Sequence, residues 1–335
     1  MKGGLRNVFM VIGVLAIVVM LCTFDLSYTA LWQNIRDAGG WFVAVVLIWI
    51  PIYLINAWSW AVLINDGEPG RVPFWRVVKY TITGYALNYV TPVGVLGGEP
   101  YRILELTPYV GASRAASSVI LYAMMHIFSH FIFWGFSIVL YCCLYASYID
   151  APMGLFLLGV TAFCTLGIYF FMKGYRNGLA VRTLRLLARV PGLRKRIGNF
   201  LVTRAEDIKR VDEQIANLHR KRKRTFYLSL FLEFLARVIG CLEVAFILLI
   251  LTDYVSFADC ILIQAFTSLF ANMFFFMPME MGTREGGFAI AVAGLSLPAA
   301  FGVLAGLLTR VREVIWIVIG IGLMKVGNAS KRTET

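Results

Sequence analysis

The chain has 335 residues, 59% hydrophobic and 15% charged, with 31 Lys/Arg against 19 Asp/Glu and a formal net charge of +12. A mean hydropathy of +0.76 excludes an ordinary soluble domain of this length. The positive charge does not imply nucleic acid, because it is localised. Sixteen Lys/Arg and four Asp/Glu fall between Lys173 and Arg224, a local excess of +12 that equals the whole chain's, which predicts one basic cytoplasmic loop at 173–224.

The first apolar run, Val8 to Phe24, follows Lys2 and Arg6 and lacks a convincing cleavage site, so it is expected to be an uncleaved span. Trp41 to Leu63 is the second, with Pro51 inside it. Tyr80 to Val90 is apolar but too short to cross about 30 Å of hydrocarbon. It runs into the Pro/Gly-rich stretch from Thr91 to Pro100, and a short helix over Tyr101 to Leu106 is expected to return from it. Ala115 to Tyr148 and Met153 to Met172 read as a pair of spans turning at Asp150. Within the basic loop, Ile208, Val211, Ile215 and Leu218 recur at helical spacing, and Pro191-Gly192 breaks an earlier helix. Phe226 to Thr252 carries Glu233, Arg237 and Glu243. Cys260 to Met277 runs into a second Pro/Gly-containing stretch, and a short apolar piece reaches Pro298. The last span, about Ala299 to Val326, holds Arg310, Arg312 and Glu313. The six cysteines lie in or beside apolar segments without metal or disulfide spacing, which is expected of small buried hydrophobes.

The positive-inside rule puts Lys2/Arg6, the Arg71–Lys79 segment, the basic loop and the C-terminal lysines on the cytoplasmic side. Both termini are therefore expected to be cytoplasmic. The predicted fold is an all-α integral membrane protein of about six full spans plus two re-entrant broken-helix elements. The two breaks match. Pro92 precedes Glu99 by seven residues, with Gly97 and Gly98 between them; Pro278 precedes Glu285 by seven, with Gly282 between. An Asn, Asn88 or Asn272, ends the helix before each. Entry from opposite faces is the pattern of an inverted repeat. Non-helical backbone at membrane depth is tolerated only where protein buries it or water reaches it, and helix ends there offer partial charges to a polar ligand.

The intramembrane charges point the same way. Glu233 and Arg237 are spaced i,i+4 and can neutralise each other. Arg310 and Arg312 outnumber Glu313, so they call for an anion such as a phosphate, or for a partner among Glu99, Glu285 and Glu243. His126 and His130 also lie one turn apart. They fit a polar packing face, a proton relay with Glu233 and Glu243, or part of a metal site; without a clear third ligand, no metal is expected. No cofactor is expected either.

At these residues a family resemblance emerges. Gly97-Gly98-Glu99-x-x-Arg102 resembles the first signature of the lysylphosphatidylglycerol synthase transmembrane-region (flippase-like) family, Gly282-x-Arg284-Glu285 its second, and Leu307-Leu308-Thr309-Arg310 its third. The resemblance implies a single transmembrane domain over 1–335 that moves aminoacylated or otherwise modified phospholipids between leaflets of a bacterial cytoplasmic membrane. It implies substrate binding by Glu99, Arg102, Arg284, Glu285 and Arg310. The soluble aminoacyl-transferase domain of some relatives is not expected here, nor is lysine transfer. Met279-Glu280-Met281 departs from the family's usual small residues and adds an acid.

The leading expectation is lipid flipping, with the arginines on the head-group phosphate. Glu99 and Glu285 would meet a cationic or hydroxylated group or carry protons. The basic loop would gather anionic lipid or dock a partner enzyme. The alternatives are an intramembrane transferase acting on a lipid-linked substrate, with Glu99 or His130 as base, and a secondary transporter of a small solute. The sequence leaves lipid identity, direction, energy source and oligomeric state open.

Overall fold

A computed structural model describes residues 28–65, 72–90, 97–177, 213, 222–250, 252–273, 283–294 and 299–326. The expected first span, most of the basic loop with its amphipathic stretch, and the residues Pro92, Pro278 and Gly282 lie outside the described residues. Among the described residues the regular structure is entirely helical. The α-helices are α1 (Tyr28–Leu47), α2 (Trp49–Asn65), α3 (Phe74–Val90), α4 (Gly98–Val110), α5 (Ala112–Leu144), α6 (Ala151–Asn177), α7 (Lys223–Leu248), α8 (Phe257–Met273), α9 (Thr283–Gly294) and α10 (Ala299–Leu323).

Among the described residues, three stretches are long and apolar enough to cross a membrane: Ala38–Asn65, Ala112–Leu144 and Ala151–Lys173. The first runs through the α1/α2 junction and starts beside Gly39, whose φ of 50° kinks α1. Helices α7 and α10 have 26 and 25 residues, about 38 Å each by helical rise, but both carry the ionisable groups noted above. Helix α3 is shorter, at 17 residues. The 17 residues of α8 make it a shorter apolar helix too. The helices that follow them, α4 and α9, have 13 and 12 residues. A 17-residue helix reaches only about 26 Å, short of the hydrocarbon thickness. The described helices on either side of the two Pro/Gly-containing stretches thus match in length, 17 and 13 residues against 17 and 12.

The chain divides into two compact units. One comprises Met1–Leu54, Val78–Arg102 and Ala236–Thr335; the other comprises Ile55–Val77 and Ile103–Leu235.

In the first unit, glycines let helix backbones approach, as membrane interfaces favour. A Cβ on Gly302 of α10 would lie 2.7 Å from the Ala289 Cα of α9, and one on Gly287 of α9 would lie 3.2 Å from the Thr267 Cα of α8. Gly320 packs on Ala86 and the Ile82 carbonyl of α3, where the Thr83 hydroxyl donates to the Gly320 carbonyl at 3.2 Å. Val90, Ile317 and Ile321 form the apolar cluster of this contact. The Trp316 indole of α10 donates to the Val46 carbonyl of α1 at 3.1 Å.

In the second unit, α5 and α6 are held by aromatic rings. Phe131 packs on Phe163 and Phe171, and Phe128 packs on Phe171 and Phe226. Ser59 of α2 and Ser229 of α7 share a buried hydrogen bond of 2.9 Å. The Arg114 guanidinium donates to the Ile64 and Asn65 carbonyls, which places a cation on the end of α2 where the helix dipole favours one. Helix α6 has only 6% of its apolar window buried in the protein, so its surface suits hydrocarbon.

Candidate functional site

The first ionic centre forms where α4 begins, within the first unit. The sequence reading starts this helix at Tyr101, but it starts at Gly98, which brings Gly98 and Glu99 into its first turn. The cause is local. Asn88, near the end of α3, accepts a hydrogen bond from the Gly98 amide at 2.6 Å, satisfying a helix-start donor that has no intrahelical partner. Glu99 then sits where the helix dipole favours an anion, and Pro100 sits where its missing N–H costs nothing.

Arg102 lies one turn on and is 2% exposed. Its Nη1 donates to Glu99 Oε1 at 3.0 Å, and its Nη2 donates to the Thr81 carbonyl at 3.3 Å. Its guanidinium stacks 5.0 Å from the Tyr85 ring. Asn88 Nδ2 donates to the same Glu99 Oε1 at 3.3 Å. Glu99 Oε2 is buried without a hydrogen-bond partner among the described residues. A buried, unsatisfied carboxylate oxygen is costly, so this centre is ready to accept a donor.

Two glycines make room for the centre. The side of Gly84 is filled by the Arg102 guanidinium, and Gly98 lies against the Gly84 carbonyl. Backbone cannot yield as a side chain end can. Gly98→Ala is therefore expected to separate α3 from α4 and cost on the order of 1–3 kcal/mol, read as a lower midpoint of thermal unfolding in detergent.

The second ionic centre joins α7, α9 and α10 in the same unit. Arg312 is bidentate on Glu243, with Nε to Oε1 at 2.7 Å and Nη2 to Oε2 at 3.1 Å. The Trp49 indole donates to Glu243 Oε2 at 3.0 Å, while the Trp49 ring lies 4.0 Å from the Arg312 guanidinium. Glu313 is the hub for the other cations. It pairs with Arg284 through Oε1 and with Arg310 through Oε2 at 3.4 Å, and Arg312 Nη1 approaches Oε1 at 3.8 Å. Arg310, Arg312, Glu243 and Glu313 are all buried. Among the described residues, three guanidiniums and two carboxylates meet here.

An aromatic bridge connects the two centres. Tyr85, over which Arg102 stacks, lies 5.7 Å from Tyr53. Tyr53 lies 5.4 Å from Trp49 and 4.8 Å from Trp316. The first unit thus gathers Glu99, Arg102, Arg284, Arg310 and Glu243. The Glu285 position falls in α9, but its side chain lies outside the described residues.

His126, His130 and Glu233 belong to the second unit. His126 Nδ1 and Glu233 Oε2 are 2.8 Å apart, and the His130 ring lies 5.6 Å from that of His126. The relay grouping from sequence is thereby divided. Glu233 is bound to His126, and Glu243 is committed to Arg312 and Trp49.

Sequence reasoning left Trp49, Tyr53 and Tyr85 out of the site; it set Arg312 and Glu313 among the intramembrane charges and offered Glu243 as a partner, which Arg312 takes. Glu313 was visible as the i+3 partner of Arg310. The aromatic residues gave no signal, because tyrosine and tryptophan are common throughout this chain.

The family model for the lysylphosphatidylglycerol synthase TM region matches residues 10–322. The chain belongs to that family. Membership and the apolar helices make it a multi-pass membrane protein linked to the handling of lipid head groups. The three signatures then take positions in the fold: the first at the start of α4, the second at the start of α9, the third in α10. No curated protein and no solved structure matches the chain.

Proposed function

We propose that the protein moves a phospholipid, or a lipid-linked head group, between the leaflets of a bacterial cytoplasmic membrane. The observation that carries this reading is the first unit's pair of buried ionic centres, one with a carboxylate oxygen that has no hydrogen-bond partner among the described residues and the other gathering three guanidiniums around Glu243 and Glu313. Glu99 Oε2 is suited to accept from an ammonium or hydroxyl. Arg284 and Arg310 both contact Glu313, and guanidiniums gathered in this way are suited to take a phosphate. Arg102 holds Glu99 in place. Glu285 falls at the start of α9 as Glu99 falls at the start of α4.

A charged head group crossing hydrocarbon unaided meets a large desolvation cost. Fixed charges of both signs along one face replace its water, while the acyl chains stay in lipid. The paired helix–break–helix segments support re-entrant elements in an inverted repeat, with both termini and the basic loop cytoplasmic. The loop's charge suits anionic lipid or a partner enzyme on that side.

The test is leaflet accessibility of a labelled phospholipid in proteoliposomes. Glu99→Gln combined with Arg310→Ala is expected to slow translocation about tenfold or more, since charged contacts contribute about 1.5–3 kcal/mol each. An unchanged rate in the folded double variant rejects the site. Lipid recovered with altered mass would instead favour an intramembrane transferase.

A further inference from the structure

The second unit buries a carboxylate that head-group binding does not use. Glu233 lies near the middle of α7 and is 1% exposed. Its Oε2 meets His126 Nδ1 at 2.8 Å, and its Oε1 is buried without a hydrogen-bond partner among the described residues. His126 lies near the middle of α5, two residues from its midpoint, and its side chain is 33% exposed. One member of the pair is therefore sealed inside the protein and the other is open at its surface. The Phe128–Phe226 and Phe133–Phe234 ring contacts lie beside the pair in sequence on the same two helices.

This arrangement is poor as a structural ion pair and good as a proton site. A buried charge is strongly unfavourable unless it is matched. With one proton, the pair is neutral whether that proton sits on the carboxylate or on the imidazole. Removing the proton leaves the pair with one negative charge, and adding a second leaves it with one positive charge. The pair is thus built to hold one proton. Imidazole changes charge in the physiological range and passes protons between its two nitrogens. Among the described residues, other charged groups lie on these and other helices. His130 lies one turn along α5, and Arg237 one turn along α7. On α4, Glu105 is buried. Arg114 is committed to the Ile64 and Asn65 carbonyls, and Lys173 to the Tyr169 hydroxyl. Arg76 stacks over the Tyr109 ring.

We propose that His126 and Glu233 form the proton-binding site that powers lipid movement, with His126 loading and unloading the proton that Glu233 holds. The coupling rests on the lipid-moving function proposed above. In each cycle one proton joins the carboxylate–imidazole pair from one side and leaves to the other, and no covalent bond to the lipid forms.

Two measurements test this separately. The first is infrared difference spectroscopy of the purified full chain across a pH titration. A carboxylic acid band that changes with pH and vanishes in Glu233→Gln is expected; a band unaffected by that substitution overturns the proposal. The second uses vesicles of phosphatidylglycerol and phosphatidylethanolamine carrying a labelled anionic lipid, with the membrane potential held at zero. A gradient of about one pH unit is expected to shift the wild-type leaflet ratio by up to about tenfold for one proton per lipid. His126→Gln and Glu233→Gln are expected to bring that ratio back to about one. Wild-type lipid that equilibrates equally with and without the gradient overturns the coupling and leaves lipid movement standing. Lipid that never moves removes the proposed function and the coupling with it, even if the infrared band titrates.

Discussion

Glu243→Leu is expected to cost about 3–5 kcal/mol of stability, and adding Arg312→Met to it is expected to recover most of that loss. The single substitution strands a guanidinium that is 3% exposed and has both of its strong contacts on Glu243. Glu313 cannot replace Glu243, because its Oε1 stands 3.8 Å from Arg312 and already serves Arg284. Trp49 also loses its acceptor, so the indole N–H is left without a carboxylate. The double substitution removes both charges together and leaves apolar side chains of similar size. Buried pairs replaced in this way are often neutral or stabilising, while half-removed pairs are not. The measurement is thermal unfolding in detergent of wild type, both single variants and the double variant. Additive losses in the double variant would show that the pair is not coupled in this way.

The coarse architecture was legible because hydrophobic periodicity and length are properties of single segments. The stretches read as Trp41 to Leu63, Ala115 to Tyr148 and Met153 to Met172 correspond to the three described stretches long and apolar enough to cross a membrane. The start of α4 was misplaced by three residues. Gly98, Glu99 and Pro100 look like a continuing loop until the Asn88 side chain is seen to supply the missing cap. The ion pairs divided along the same line. Arg310 with Glu313 is a neighbour relation within one helix, which spacing reveals. Arg312 with Glu243 joins residues 69 positions apart, and His126 with Glu233 joins residues 107 apart. No periodicity encodes either. The spacing that was visible, Glu233 with Arg237, drew attention away from the cross-helix partner His126. The aromatic bridge through Tyr53 and Tyr85 was equally hidden, since each ring reads in sequence as ordinary core.

Glu313→Gln tests the second ionic centre at its hub. The amide keeps the shape of the side chain but removes one of the two carboxylates that face Arg284, Arg310 and Arg312. The substitution makes the centre more positive by one charge. In lipid-free neutral detergent the variant is expected to lose about 3–5 kcal/mol, because buried cations are left under-compensated. An anionic head group supplies the missing charge from outside the chain. Phosphatidylglycerol is therefore expected to restore the variant's unfolding midpoint further than it raises the wild type's, since a ligand bound to the folded state alone stabilises by about 1.4 kcal/mol per tenfold excess over its Kd. Phosphatidylcholine carries a balancing cation and is expected to restore much less. The comparison separates a lipid phosphate site from a structural ion cluster. A structural cluster is weakened by the substitution whatever lipid is present, whereas a phosphate site is repaired by the anion that it is built to receive. Equal stabilisation of wild type and variant by phosphatidylglycerol, or equal rescue by both lipids, would exclude Arg284 and Arg310 as the groups that hold the phosphate.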